Sequence, residues 1–332
     1  MPTNAASVSL SKTKLRPGCL AAAAVLFGQL LAHGVHSQLE TNQPEWADTA
    51  PLARRSLLLD VAALGMRVVV VGDRGHVLVS ENGGSKWTQA RIPTRSMLTA
   101  IHIVDEQHIW VVGHDAVVLH SSDGGREWVL QHLAPELDRV LLDVWFADAN
   151  HGIAVGAYGL LLETRDGGKS WQRRTISPEE PHLYAITEGV DRTLYIAGEI
   201  GSVYRSQDGG RSWTAVTSPY RGTFFGAVGL TDGTLLVFGL RGNLYRSENG
   251  GQTWRRLKTG TTASLMGGIE RTDGAVVIVG LNGTVLVSRD GGRRFVAANR
   301  NERFQFANIG ELSRGRLVAV GETGISHIDE IP

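Results

Sequence analysis

With 332 residues, 41 glycines, 10 prolines and a 42% hydrophobic fraction, the chain has apolar material for a large packed core, which argues against disorder. Lysine plus arginine and aspartate plus glutamate each number 33, so no whole-molecule charge draws it to nucleic acid or an anionic membrane. A single cysteine excludes a disulfide framework, and length alone leaves the domain count open, because repeat folds and closed all-β folds often stay undivided.

The first predicted element is a targeting segment, residues 1–37. Lys12, Lys14 and Arg16 precede a mostly apolar run from Cys19 to Ala32, and Val35-His36-Ser37 offers a small-residue boundary before Gln38. Fourteen apolar-run residues fall short of the roughly 20 that span a bilayer. A secretory signal peptide is therefore the expectation, with retention as an anchor left open. No twin-arginine pair precedes the run, so general secretion is the simpler route. Cleavage near Ser37 would leave 30 basic against 33 acidic side chains and no cysteine, which removes thiol catalysis and cysteine metal sites. Residues 38–43 read as a short linker and 44–332 as one domain.

From there the chain repeats. Six turns stand in register, Ser80 to Trp87, Ser121 to Trp128, Thr164 to Trp171, Ser206 to Trp213, Ser247 to Trp254 and Ser288 to Phe295, at spacings of 41, 43, 42, 41 and 41 residues. An apolar-Gly step recurs seven times, at Gly72, Gly113, Gly156, Gly198, Gly239, Gly280 and Gly321, each 15 residues after an apolar residue, Leu57 in the first unit and Leu98 in the second. Within a unit such as Leu141 to Ile176, short apolar runs separated by turn residues predict a four-stranded meander. The prediction is an all-β, seven-bladed β-propeller of four-stranded blades. The third inward position of each first strand reads Leu59, Ala100, Asp143, Ala185, Gly226, Gly267 and Asn308, mostly small or short, as strands converging on an axis require. The seventh unit lacks the turn and its Trp, while Glu45-Trp46 stands 11 residues before Leu57, the separation of Trp87 from Leu98. The expectation is that an N-terminal strand carrying Trp46 pairs with the C-terminal blade and closes the ring.

The repeated Ser-x-Asp-x-Gly-x-x-Trp resembles the Asp box of bacterial neuraminidase repeats. Its acids or amides, Asn82, Asp123, Asp166, Asp208, Asn249 and Asp290, are expected to accept hydrogen bonds from main-chain N–H groups two residues on, with the Gly pair at positive φ and the Trp packed beneath. A turn present in nearly every blade, in which Asn replaces Asp, caps structure rather than performing chemistry. No calcium-loop pattern and no zinc spacing occurs among the eleven histidines. His76 and His114 read as solvated loop residues, and neither metal nor cofactor is expected.

Inter-blade loops and second-to-third-strand loops should open on the face opposite the Asp boxes. There Arg55, Arg95, Arg139, Arg221 and Arg303 stand two or three residues before inner strands of different blades, Arg54 lies beside Arg55, and Arg74 and Arg241 occupy the other loop set. This basic ring is the candidate partner-binding surface, since arginine is favoured at protein interfaces. A solvated set of loop arginines is the plain alternative.

The unit from Leu141 to Trp171, together with repeat length and number across 44–330, resembles the photosystem II stability/assembly factor family of cyanobacteria and chloroplasts. The resemblance implies a seven-bladed propeller without catalysis, located in the periplasm or thylakoid lumen, which helps a membrane protein complex assemble through an arginine-rich surface. The expected partner is such a complex or its exported loops, the protein being monomeric and inserting no segment after signal cleavage. Relatives in non-photosynthetic bacteria leave another envelope complex open. The competing reading is a sialidase-like or other glycoside hydrolase, for which Asp73, Asp115, Glu199, Glu322 and Tyr158 supply loop groups. Paired carboxylates in one pocket, one with a raised pKa, would favour it.

Overall fold

A computed structural model of the chain describes residues 45–298 and 304–328; the expected signal segment and Arg303 lie outside them. Each predicted unit folds as an antiparallel meander, for example Leu98–Ile103, Ile109–Gly113, Val118–Ser121 and Val129–His132 in the second blade. Six sheets have four strands in sequential order. Second strands such as Ile109–Gly113 are buried along their whole length, because a blade is covered on both faces by its neighbours. That is why they read as unbroken apolar runs rather than alternating ones. Apolar clusters occupy the interfaces between blades: Trp110, Val112 and Val118 of the second blade meet Leu141, Val144 and Leu162 of the third. The glycine of each step is a close-approach position; a Cβ on Gly113 would stand 2.1 Å from the Met97 carbonyl oxygen.

Two sequence expectations require correction. In the first unit, Leu58 rather than Leu57 pairs with the step glycine Gly72, as Leu98 pairs with Gly113. The first unit is one residue shorter there, so Asp60, not Leu59, takes the third inward position. The second correction concerns closure. Among the described residues the seventh sheet has three strands, Phe306–Glu311, Leu317–Gly321 and Gly324–Ile328. Trp46 joins none of them. Ala47 N–H donates to the Ile92 carbonyl (2.8 Å), and the Trp46 carbonyl accepts from Arg95 Nε (3.0 Å). Ala50 N–H bonds the Gln89 side chain at 2.9 Å, so residues 46–50 lie along the first blade. The shared spacing misled because Ala47 is held by the first blade's own exit loop, where it packs among the apolar side chains between blades one and two. Ring closure comes instead from packing of Ala53, Leu58, Val61 and Val68 against Leu312, Val318 and Val320. Arg316 adds a bond to the Gly83 carbonyl at 2.7 Å.

That last bond belongs to a set. Arg246, 4% exposed, donates to the Gly291 carbonyl in the next blade's Asp box, and Arg205 reaches Gly250 likewise. Arg271 pairs with Glu311 and donates to the Gly315 carbonyl of the seventh blade. Arginines on the Asp-box side thus bind the fourth, fifth, sixth and seventh blades to their successors.

Candidate functional site

On the face opposite the Asp boxes, the loop between second and third strands carries one tip residue in each of the first six blades: Arg74, Asp115, Tyr158, Ile200, Arg241 and Asn282. All are left-handed, at φ between 52° and 58°. The conformation favours Gly or Asn, and for a β-branched residue it is an outlier. Ile200 accepts it while 67% exposed. Core packing does not account for this conformation, because the side chain lies in solvent.

The described arginines of the predicted ring are on this face, but in different states. Arg95 is tied to Asp48 (3.0 Å) and to the Trp46 carbonyl. Half-buried Arg139 donates to the Tyr158 carbonyl and covers that ring at 5.4 Å. Arg74 pairs with Asp73 in its own turn. Arg55, Arg221 and Arg241 are exposed and have no ion pair among the described residues. The loop acids are engaged locally: Asp115 accepts from the Ser96 hydroxyl (2.6 Å), and Glu199 accepts from His182 N–H. His76, expected to be solvated, is buried and bonds the Ser56 hydroxyl at 3.0 Å.

An aromatic arc, not foreseen from the sequence, crosses three blades of this face. Tyr158 meets His182 edge-on at 4.6 Å, His182 neighbours Tyr184 at 6.0 Å, and Tyr184 meets Phe225 at 5.2 Å. The arc leads to an axial cavity of about 270 Å³ lined by Thr99, Tyr184, Phe225 and Met266 and, more deeply, by Asp60, Asp143 and Asn308. Asp60 accepts from Val61 and from Ile101 of the next blade, and Asn308 Nδ2 of the seventh blade donates to it. Asp143 accepts from Val144 and from Ile186 of the next blade, each at 2.8 Å. Burial pushes Asp60 up to about 6 against these hydrogen bonds, and burial helped by the nearby Asp60 charge pushes Asp143 up to about 7. Both carboxylates are thus braces between adjacent blades, their oxygens already occupied. The one-residue offset hid Asp60; alignment on the paired glycine recovers it.

The six Asp boxes occupy the other face, with one difference from expectation. The acid or amide accepts from N–H groups three or four residues on, as Asp166 does from Ser170 (2.9 Å). The Ser or Thr hydroxyl donates to that acid and accepts the second Gly N–H, as Ser206 does from Gly210 (2.8 Å). Hydroxyl donation from Ser170 and Ser212 and the main-chain N–H groups hold Asp166 and Asp208 down to about 2. Among the described residues, no group of three or more His, Cys, Asp or Glu is placed to hold a metal ion.

Seven meander blades, six of them carrying Asp-box turns, and one face of outward loop tips define a protein of the Asp-box β-propeller class. Within that class the chain belongs to the family described as photosynthesis system II assembly factor YCF48, whose profile matches residues 39–138 and 129–279. A stretch of 135 residues is 40% identical to photosystem II assembly protein Ycf48 of Synechococcus sp. (strain JA-3-3Ab), covering 39% of this chain and 40% of that protein. The chain thus spans well under half the length of that relative. The structure of YCF48 bound to D1 peptide superposes with a TM-score of 0.69 at 19% identity, covering 84% of this chain and 95% of that one. YCF48 from Cyanidioschyzon merolae gives 0.67 at 18% identity, covering 84% and 97%. At such identities the superpositions speak to the fold alone.

Proposed function

We propose that this protein is a non-catalytic assembly or stability factor for a membrane protein complex, photosystem II where the source is photosynthetic. The observation that carries the reading is the extent of the family match, which takes in 39–138 and 129–279. In this reading residues 1–37 are a signal peptide, 38–43 a linker and 44–332 one propeller acting as a monomer in the periplasm or thylakoid lumen. The loop-tip face is the docking surface for exported loops of the complex. A relative has been solved with a D1 peptide bound, which fits a peptide segment as ligand here. Arg55 and Arg221, exposed and unpaired among the described residues, and the Tyr158–Ile200 sector supply the contacts. Arg95 serves mainly to hold the Trp46–Asp48 segment and Arg139 the Tyr158 turn.

The glycosidase reading gains one observation, because Asp60 and Asp143 are paired carboxylates with raised pKa values in one cavity. It is the weaker reading, since a sialidase needs an arginine cluster in the pocket and no arginine lines the cavity. The test is affinity capture from the native envelope with the exported protein. Arg55→Glu/Arg221→Glu should fold normally, since exposed substitutions cost about 0.5 kcal/mol or less, and should capture far less of the complex. Undiminished capture would overturn the docking surface. Turnover of sialosides or β-glucans abolished by Asp143→Asn would replace the whole reading with an enzymatic one.

A further inference from the structure

We infer that the Asn249-Gly250 pair in the Asp box of the fifth blade is a self-modification site, where the Gly250 nitrogen attacks the Asn249 side-chain amide and water then leaves an aspartate. The site lies on the Asp-box face and does not depend on how the loop-tip face is used.

Asn-Gly occurs three times, at Asn82-Gly83, Asn249-Gly250 and Asn282-Gly283. Glycine has no side chain to hinder the approach of its own nitrogen to the neighbouring amide carbon. Two of the pairs lie in the same pentapeptide, Ser-Glu-Asn-Gly-Gly at 80–84 and 247–251, and Gly83 and Gly250 share a φ of 65°. Local sequence and local backbone are therefore matched, and the tertiary surroundings set them apart.

Gly83 is buried and its N–H donates to the Met66 carbonyl at 2.8 Å; Gly283 is buried too and donates to the Phe304 carbonyl at 2.6 Å. Gly250 is half-buried behind an exposed Asn249, and its N–H has no acceptor among the described residues. The attacking nitrogen is thus tied to a carbonyl in two pairs and free in the third. A nearby cation does not distinguish them, since Arg316 donates to the Gly83 carbonyl at 2.7 Å and Arg205 to the Gly250 carbonyl at 3.5 Å.

The fifth box also supplies the remaining chemistry. Asn249 Oδ1 accepts the Thr253 N–H at 2.9 Å and the Ser247 hydroxyl at 3.1 Å. These donors stabilise the negative charge that this oxygen takes on when Cγ becomes tetrahedral. Asn249 Nδ2 donates to Thr253 Oγ1 at 2.9 Å, which leaves the hydroxyl proton beside the departing nitrogen. Asn82 Oδ1 accepts from Lys86 N–H and the Ser80 hydroxyl, but Lys86 offers no hydroxyl at that place. In the step, the bond from Gly250 N to Asn249 Cγ forms and the Cγ–Nδ2 bond breaks. The Gly250 proton passes to water, Thr253 Oγ1 gives its proton to the leaving nitrogen and recovers one from solvent, and ammonia departs. Water then opens the cyclic imide at Cγ, which restores the Gly250 N–H and leaves a carboxylate at position 249. That product fits the box: Asp166 and Asp208 accept the hydroxyls of Ser170 and Ser212, four residues on, at 2.6 Å, and Thr253 stands at the same place.

The test is peptide mapping by mass spectrometry after the folded, exported protein has stood at mildly alkaline pH. Trypsin separates the pairs into peptides 75–86, 247–255 and 272–289. Asn249 should convert faster than Asn82 and Asn282 by about tenfold or more. In urea the two Ser-Glu-Asn-Gly-Gly segments should convert within about twofold of each other, because the surroundings that separate them are gone. Equal rates for Asn82 and Asn249 in the folded protein would overturn the site, and a difference that persists in urea would overturn its tertiary cause. Thr253→Val should slow Asn249 by about tenfold and leave Asn82 unchanged; an unaltered Asn249 rate would overturn the role of the hydroxyl. Asn249→Asp should unfold in urea at the parent's midpoint or above, whereas a lower midpoint would show that the box rejects the product.

Discussion

Each Asp-box turn depends on a buried hydroxyl as much as on the acid at its tip. Ser206 is 1% exposed, donates to Asp208 and accepts from Gly210 N–H. Gly210 must be glycine twice over, because its φ is 82° and a Cβ would stand 2.3 Å from Ile153 of the preceding blade. Replacing Ser206 by Ala strands a buried N–H, so stability should fall by about 1–2 kcal/mol. Urea denaturation measures the loss, and a variant as stable as the parent would show that the hydroxyl is dispensable. The turn motif was legible because all its members fall within eight residues, Ser206 to Trp213. Which atom bonds which N–H was not, since the sequence does not give the turn's backbone angles.

Among elements, the contacts that matter most join strands of different blades. Arg246 lies in the third strand of the fifth blade, donates to the Thr234 hydroxyl at 2.9 Å and pairs with Glu248, besides its bond to the Gly291 carbonyl of the sixth. Arg246→Ala deletes several charge-assisted bonds from a buried site, so a loss of about 2 kcal/mol or more is expected. Arg256→Ala, at an exposed site on the neighbouring strand, should cost about 0.5 kcal/mol or less. Equal denaturation midpoints for the two variants would remove the inter-blade role. Such arginines were invisible to motif reading because their partners, as with Arg246 and Gly291, stand 45 residues away and are main-chain carbonyls, which leave no mark in side-chain pattern. The strands themselves were legible from their apolar runs.

For the molecule as a whole, the axis sets a dependence of stability on pH. Asp143 is raised to about 7 in the fold, chiefly by burial, from a free value of 3.8. The native state therefore holds a proton that the unfolded chain releases, and this group's contribution to stability falls as pH rises between those values. Burial holds His102 and His120 down to about 4 from 6.5, which gives the opposite slope, so the parent must be compared with a variant at each pH. Asn308 shows that an amide is accommodated at the equivalent position of the seventh blade. The stability difference between parent and Asp143→Asn should shift in favour of the variant as pH rises from 4 to 7 and level off above that. A difference that does not vary with pH would show that Asp143 titrates normally.

The sequence by itself determined the number of blades, the strand order and the position of every described Asp box, because repeat spacing and turn chemistry are local and recur. It also put the described arginines of the predicted ring in loops of one face, since loop position follows from strand order. Tertiary structure alone decided which cations are free. Arg95 is tied to Asp48 and Arg139 to Tyr158, while Arg241 faces the same cavity as Arg256 and Lys258. It alone decided that Trp46 rests on the first blade rather than in the seventh, and that Asp60 meets Asn308 across 248 residues of chain. These outcomes depend on which side chains the curvature of the ring brings within bonding distance, and a one-residue offset in a single unit is enough to change that without disturbing the repeat.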